Sequence, residues 1–208
     1  MELTCQIGQA YERIRQQSGL LWNLHESRTD PLTGVGNRRT FDETLDSMFS
    51  MHARYKTPFS LSLIDIDHFK QINDEQGHLA GDKILATLGQ LLREEARDTD
   101  VVTRYGGEEF VIFMPQTDIL SATKASERLR AKIEAAMEIT VSAGVSTAQE
   151  FDAASAMMEA ADQALYQSKE SGRNRISIFR GGTIHPWVSP DENDEPRSVR
   201  DEMADCLT

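Results

Sequence analysis

The chain has 208 residues, of which 39% are hydrophobic and 27% charged, so it can bury a core and is not disordered throughout. The formal net charge is −12 at pH 7 and the pI is about 4.9, which argues against general binding to nucleic acid or to an anionic membrane. An anionic ligand would need a divalent cation or a local basic cluster beside it.

Residues 1–29 carry apolar side chains at alternating steps of four and three, the spacing of a coiled-coil heptad. The seam consists of Leu3, Ile7, Ala10, Ile14, Gln17, Leu21 and Leu24. One interpretation is an amphipathic helix packed on its own domain. We favour a parallel coiled coil that pairs two chains, because a strict 3.5-residue period is narrower than the face that a globular helix buries.

Residues 30–179 are predicted to form the globular body, in which strands and helices mix without a strict βαβ repeat. The pattern predicts helices over 37–55, 81–96, 121–136 and 153–170. It predicts strands over 59–66, 101–105, 110–114, 139–146 and 175–179. We therefore expect an α+β fold with one central, mostly antiparallel sheet flanked by helices.

Residues 180–208 differ from the body in composition. Three arginines stand against seven acidic residues, three prolines interrupt the segment, and no apolar period is visible. We expect an acidic tail that is disordered or loosely docked.

The cysteines and the apolar runs bear on the protein's environment. Cys5 and Cys206 lie near opposite ends of the chain and suit neither a disulfide framework nor a zinc site, so a reduced, cytoplasmic protein is the simple interpretation. No segment has the roughly 18–20 apolar residues of a membrane span, and no signal peptide is visible. We expect no membrane segment.

Two carboxylates follow a hydrophobic run at its end. Asp65 and Asp67 alternate with Ile64 and Ile66, so strand geometry places both acids on one face. A strand that simply runs into a polar loop is the alternative. If the two acids are buried instead, they must be paired with a partner or bound to a metal, because charged side chains are almost never buried alone.

A second acidic pair follows two glycines in the stretch from Tyr105 to Phe110. Gly106 and Gly107 allow a tight turn with positive φ and close approach of a ligand to the backbone, although an ordinary hairpin with solvated charges is also open. Glu108 and Glu109 would repel each other without a cation. Carboxylates from both motifs at one sheet edge suit Mg²⁺, which prefers oxygen ligands and substrate phosphates.

Two polar segments complete the set of candidate sites. The loop 70–82 contains Asn73 and Asp82, whose donor and acceptor groups can read a guanine edge, although helix capping by Asp82 is the alternative. Lys169 and Arg173 lie four residues apart around Gly172 and could hold a triphosphate. Basic residues that complement a helix C-terminus are the simpler explanation of that pair.

Six strings occur in one order along residues 30–179: DPLTGVGNRR, IDIDHFKQIND, GHLAGD, RYGGEEF, VSAGVS and ADQALYQSKESGRN. Together they resemble the GGDEF domain, the diguanylate cyclase family. The resemblance implies a palm-type, nucleotidyl-cyclase-like fold. It also implies an enzyme that condenses two GTP molecules into cyclic di-GMP and two pyrophosphates, with each chain of a dimer offering half of the site.

By that similarity, Mg²⁺ would be bound by Asp65, the backbone carbonyl of Ile66 and Glu108, and Mn²⁺ could replace it. Glu108 would help to deprotonate the attacking 3′-hydroxyl, and Glu109 would assist. Asn73 and Asp82 would hold guanine with His78 nearby. The remaining GTP contacts implied are Phe69, Lys70, Gly106, Gly107, Lys169 and Arg173.

The same resemblance assigns an inhibitory site for the product to Arg97 and Asp100, with Arg128 as a secondary contact. The pattern Arg-x-x-Asp is short, and a surface ion pair would produce it too. Two competing functions remain at this point: a receptor that binds cyclic di-GMP without making it, and a purely structural dimerisation domain. The first usually has eroded catalytic motifs and the second needs no carboxylates, so we favour the enzyme.

Overall fold

The computed structural model describes residues 28–188. The predicted heptad helix therefore lies almost entirely outside the described residues, as do residues 189–208 of the predicted tail. Within the described part of the chain, no helix combines the length and the apolar character needed to cross a bilayer.

The described residues form five α-helices and six strands. The helices are α1 (Arg38–Tyr55), α2 (Phe69–Gln76), α3 (His78–Glu95), α4 (Ile119–Ala136) and α5 (Ala154–Glu170). The strands are β1 (Phe59–Ile66), β2 (Val101–Arg104), β3 (Glu109–Pro115), β4 (Val141–Thr147), β5 (Ile176–Arg180) and β6 (Thr183–Pro186). A 3₁₀ turn at Ala148–Glu150 follows β4.

The six strands form one sheet in the order β2-β3-β1-β4-β5-β6. All pairings are antiparallel except that of β4 with β5, which is parallel. Every residue of β1 is buried, as expected for a strand with neighbours on both sides and helices on both faces. The α+β prediction is confirmed.

Alternate residues of the central strands pack into two separate hydrophobic cores, one on each face of the sheet. Leu85, Leu88 and Leu92 of α3 pack with α4 on the face that carries Ile64 and Ile66. Phe41 of α1 and Leu165 of α5 belong to the core on the opposite face, with Leu61, Leu63, Val111 and Phe113. The period of two along β1 thus places a helix layer on each side of the sheet.

Local sequence signals explain where the helices begin and how closely they pack. The side chain of Asn37 accepts a hydrogen bond from the backbone N–H of Thr40 and caps α1, and Asp118 caps α4 through Ser121. Gly144 of β4 lies directly under α5, where an added Cβ atom would collide with the backbone carbonyl of Ala161. A glycine at this position lets α5 approach the sheet.

The structure differs from the sequence prediction in two places. Residues 69–76, expected as a loop, form α2, and the next helix begins at His78 rather than Gly81. Gly77 separates the two helices with a φ of 84°, which glycine adopts without strain. The sheet also continues past Phe179, because β6 pairs with β5, so the expectation of an irregular tail is wrong for residues 183–186.

Candidate active site

Asp65 occupies the end of the central strand. It lies opposite Glu109 on β3 and Ser142 on β4, so the register brings the two acidic motifs together at one edge of the sheet. Its side chain is only 8% exposed, and its Oδ2 atom is 2.9 Å from the Nζ atom of Lys169 at the end of α5. A buried carboxylate, a second carboxylate and an ammonium group thus share this position.

The turn between β2 and β3 presents Glu108 and Glu109. The backbone N–H of Tyr105 donates to the carbonyl of Glu109 at 2.8 Å, which closes the turn. Neither Gly106 nor Gly107 has a positive φ, so the expected conformational reason for the glycines is wrong. An added Cβ atom at Gly106 would lie 2.8 Å from Oε2 of Glu109, the end of a side chain that can move, and Gly107 faces open space, so packing requires neither glycine.

Arg104 holds this turn from one side. Its guanidinium donates to the carbonyl of Gly107 at 2.7 Å and pairs with Asp30 at 3.2 Å, where both side chains are 18% exposed. Asp30 in turn accepts hydrogen bonds from the N–H and hydroxyl of Thr33. The segment 30–33 and the acidic turn are therefore fastened together.

The electrostatics of the cluster favour a cation. The pKa of Asp65 is raised to about 6, mainly by burial, with Lys169 opposing the rise and the nearby Glu108 and Glu109 adding to it. Burial also raises the pKa of Glu109, with Asp162 and Glu108 acting in the same direction and Lys169 and Arg38 against it. A bound cation would relieve this repulsion.

The oxygen donors present fit a hard divalent cation. Among residues 28–188, no three His, Cys, Asp or Glu side chains come close enough together to hold a metal by themselves. Asp65, the carbonyl of Ile66 and Glu108 could supply part of a shell, and substrate phosphates and water would supply the rest, as is usual for Mg²⁺. The observation that supports this fit is the register that places Asp65 opposite Glu109, the residue directly after Glu108, at one edge of the sheet.

Asp67 does not join the carboxylate cluster. Its Oδ1 atom accepts a hydrogen bond from Ser142 Oγ at 2.7 Å. Its Oδ2 atom accepts bonds from Thr140 Oγ1 at 2.7 Å and from the backbone N–H of Asn174 at 3.0 Å. The side chain is buried and its acceptors are used, so only the first aspartate of the strand motif is available to a ligand.

The residues proposed for guanine lie on the corner between α2 and α3. Oδ1 of Asn73 lies directly against Gly81, where an added Cβ atom would collide with it, so Asn73 is adjacent to the turn that carries Asp82. Asp82 and His78 are exposed on the first turns of α3. Lys70 is exposed on α2, whereas Phe69 is buried in the core and fixes this corner to the sheet.

The second basic residue of the proposed phosphate pair lies on an unusual loop after α5. Gly172, Arg173 and Asn174 have φ values of 113°, 61° and 48°, so two non-glycine residues adopt the left-handed region. Lys169 and Arg173 flank the turn, as predicted, and Lys169 reaches Asp65. Of the basic pair, Lys169 at the end of α5 therefore lies at the carboxylate cluster, and Arg173 lies on the loop that follows the helix.

The residues of the Arg-x-x-Asp motif lie away from this cluster. Arg97, Asp100 and Arg128 line one small pocket between the start of β2 and α4, together with Ile112 and Met114. Oδ2 of Asp100 accepts a hydrogen bond from the backbone N–H of Arg97 at 3.0 Å. Oδ1 of Asp100 is buried and, among the residues that the structure describes, has no hydrogen-bond partner.

Sequence reasoning overlooked the residues that support the site. Arg38 lies 3.9 Å above the ring of Tyr105 and is close enough to Glu109 to oppose the rise in its pKa. No role was predicted for Arg104 or Asp30, although both lie in motifs that carry the family resemblance. Arg104 stands just before the acidic turn and Asp30 at the start of the globular body, and these positions were the signal that could have identified them.

Comparisons with known proteins identify the family. A family model described as "Diguanylate cyclase, GGDEF domain" matches residues 27–175. The chain is 42% identical over 158 residues to the diguanylate cyclase DgcP of Pseudomonas aeruginosa, covering 72% of this chain and 24% of DgcP. It is 38% identical over 190 residues to the response regulator PleD of Caulobacter vibrioides, covering 84% of this chain and 42% of PleD.

A solved structure of the coiled coil and GGDEF domain of DgcB from Caulobacter crescentus, in complex with c-di-GMP, matches with a TM-score of 0.72 and 28% identity. The match covers 86% of this chain and 100% of that one. The chain spans less than half the length of DgcP and of PleD. On the family model, the relatives and the fold, this chain belongs to the GGDEF family.

Proposed function

We propose that this chain is a diguanylate cyclase that condenses two GTP molecules into cyclic di-GMP and releases two pyrophosphates. The observation that carries the proposal is the juxtaposition of Asp65, Glu109 and Lys169 at the end of the central strand. Carboxylates for a divalent cation and basic groups for phosphate are the two requirements of nucleotidyl transfer. The DgcP relative, named a diguanylate cyclase, supports the same assignment.

The proposed substrate and metal contacts fall at three positions, one each for the guanine base, the triphosphate and Mg²⁺. Asn73 and Asp82 would hold the guanine base, and Lys169 and Arg173 would neutralise the triphosphate. Mg²⁺ held by Asp65, the Ile66 carbonyl and Glu108 would lower the pKa of the attacking hydroxyl and neutralise charge on the leaving pyrophosphate.

Glu108 would accept the proton of the 3′-hydroxyl as its oxygen attacks the α-phosphorus of the second GTP. Glu108 is partly exposed, which suits a group that meets substrate from a facing chain. Each domain presents one such edge, so two chains must face each other for both bonds to form.

Incubation of the purified chain with GTP and Mg²⁺, followed by chromatography for cyclic di-GMP, tests the proposal. Product from the parent and none from Glu108→Ala is the expected result. Glu94→Ala, on the exposed side of α3, is the matched control and should retain activity. A parent that makes no product after bound nucleotide has been stripped would refute the cyclase assignment.

The pocket at Arg97 supports product binding as part of the same function. An unpartnered carboxylate oxygen of Asp100 and two arginines provide acceptor and donors for a guanine edge and a phosphate. We propose that cyclic di-GMP binds there and holds the domains apart. If the cyclase assay fails, the same observation favours the receptor function.

Calorimetric titration with cyclic di-GMP tests this second site. Arg97→Ala and Asp100→Ala should abolish high-affinity binding and relieve inhibition by product, whereas Arg54→Ala, an exposed arginine on α1, should do neither. Binding that persists in both pocket variants would place the product elsewhere.

We also propose that the segment before residue 30 joins two chains and raises the effective concentration of one half-site near the other. The DgcB structure, which includes a coiled coil, supports a helix in this position. A chain that begins at residue 30 should lose specific activity steeply on dilution. Equal activity of the two chains at every dilution would refute a role for the segment.

A further inference from the structure

Asp67 fastens the strained loop after α5 to the end of the central strand. Its carboxylate accepts the backbone N–H of Asn174, and its own backbone N–H donates to the carbonyl of Thr140 at 3.0 Å. Asp67 directly follows Ile66, so the same short stretch of chain supplies the edge of the carboxylate cluster and the anchor of the basic loop. The anchor is buried, with 4% of Asp67 exposed.

The side chain of Asn174 fastens the same loop to α4. Its Oδ1 atom accepts a hydrogen bond from Arg130 at 2.6 Å, and its Nδ2 atom donates to Glu134 at 2.8 Å. Arg130 is itself held by Glu127 at 2.8 Å and by Glu134 at 2.7 Å, with its side chain 14% exposed. Both ends of the asparagine are therefore fixed by an ion-pair network.

These contacts hold a conformation that the backbone alone disfavours. Arg173 and Asn174 both have left-handed φ values, which asparagine tolerates but which for arginine carry a cost that the surroundings must offset. The backbone N–H of Arg173 donates to the carbonyl of Ser168 at 3.0 Å, which orders the loop against the end of α5. Without the clamp, the loop would relax and Arg173 would lose its fixed position.

We propose that Asp67 and Asn174 are positioning residues. They fix the conformation of the loop that carries Arg173, and thereby the contact of Arg173 with the triphosphate of the substrate. The inference rests on the proposed function, because it takes Arg173 as a phosphate contact. Asp67 acts through the loop rather than on the metal, since all its hydrogen bonds go to protein donors. Asn73 and Asp82, the residues proposed to hold guanine, take no part in the hydrogen bonds of this clamp.

The test compares the binding of two guanine nucleotides to the full chain in the presence of Mg²⁺. The probes are the unreactive guanosine 5′-[α,β-methylene]triphosphate and GMP, measured by competition with a fluorescent guanine nucleotide. Asp67→Ala should weaken binding of the triphosphate about tenfold and of GMP less than about twofold, which corresponds to the loss of one charge-assisted contact. An equal change in both, or no change, would overturn the inference.

A double-mutant cycle separates positioning from general damage to the fold. In an Arg173→Ala background, Asp67→Ala should cost no more than about a further twofold in triphosphate binding, because the group through which it acts is gone. An undiminished tenfold loss would show that Asp67 does not act through Arg173. Leu45→Ala, which removes buried volume from α1, is the matched destabilised control and should leave the triphosphate-to-GMP ratio unchanged.

A second variant keeps the inference testable if Asp67→Ala does not fold. Asn174→Gly retains the backbone N–H and adopts left-handed φ without strain, but it removes the ties to α4. It should weaken triphosphate binding about threefold and leave GMP binding unchanged; an unaltered ratio would overturn the role of Asn174. A parent chain that binds neither nucleotide would refute the proposed function instead.

Discussion

Replacing Asp65 with asparagine should stabilise the metal-free protein at neutral pH and abolish its proposed cyclase activity. Asparagine keeps the size of the side chain and removes a buried negative charge that lies close to Glu108 and Glu109. Lys169 loses its ion-pair partner but stays close enough to Glu109 to lower the pKa of that group. The negative charge of Asp65 thus destabilises the metal-free protein, whereas the proposed binding of Mg²⁺ requires it.

The magnitude follows from the pKa of Asp65, which burial and the neighbouring glutamates raise from 3.8 to about 6. At about 1.4 kcal/mol per pKa unit, ionised Asp65 costs the folded state about 3 kcal/mol. The folded state binds this proton more tightly than the unfolded state does. Stability of the parent should therefore fall as the pH rises from about 4 to about 6, and the advantage of the variant should grow over the same range.

Thermal unfolding in the presence of EDTA measures the effect. At about pH 7.5 the melting temperature of Asp65→Asn should exceed that of the parent by about 6–12 °C, since about 2–4 °C per kcal/mol is usual for a domain of this size. Near pH 4 the two should coincide. Asp46→Asn, at an exposed position on α1, is the control and should show no such difference. A variant less stable than the parent at pH 7.5 would refute the reasoning.

Three further substitutions test other features of the fold. Gly144→Ala should destabilise the protein by several kcal/mol, about 3 or more, because its Cβ atom meets the backbone of α5 and neither element can yield. Gly81→Ala should displace Asn73 and raise KM for GTP about tenfold, with kcat little changed. Asp30→Asn should cost about 1–2 kcal/mol at pH 7, because burial raises the pKa of Asp30 but hydrogen bonds from Thr33 and an ion pair with Arg104 lower it by more, and this cost should shrink as the pH falls below about 4 and through the lowered pKa.

Each of these has a simple check. Urea unfolding of Gly144→Ala is compared with that of Gly107→Ala, whose Cβ atom would face open space, and equal midpoints would contradict the packing argument. Steady-state kinetics of Gly81→Ala would contradict the guanine assignment if kcat fell while KM for GTP stayed constant. For Asp30→Asn, a difference in unfolding free energy from the parent that is as large at about pH 2 as at pH 7 would show that the charge is not its cause.

The elements predicted most accurately are those whose own residues carry a full apolar pattern and clear end signals. Strand β1 was predicted with the bounds that the structure has, because a run of mostly apolar residues after Pro58 is long enough to define a buried strand. Helix α1 was predicted to within one residue, since Asn37 caps it and Phe41 and Leu45 repeat on one face. The convergence of Asp65 and Glu109 followed once both were placed at strand ends.

Other features depend on contacts that a linear pattern does not contain. Helix α2 has eight residues, and only Phe69 among them is buried, so no period was visible. Strand β6 depends on pairing with β5 rather than on its own composition. The use of Asp67 as a hydrogen-bond acceptor depends on Asn174, more than a hundred residues away, and the strand pattern by itself did not distinguish Asp67 from Asp65.

The corner between α2 and α3 has a consequence for how such a chain can change over time. Asn73 and Asp82 stand on helices joined at Gly77, whereas Asp65 and Glu109 stand on the sheet. Under the proposed function, selection for a different base would therefore act on the corner and leave the residues proposed for bond formation unchanged. A mutant library confined to positions 73 and 82 would then change nucleotide preference without loss of the proposed reaction, so few substitutions would be needed for a new specificity.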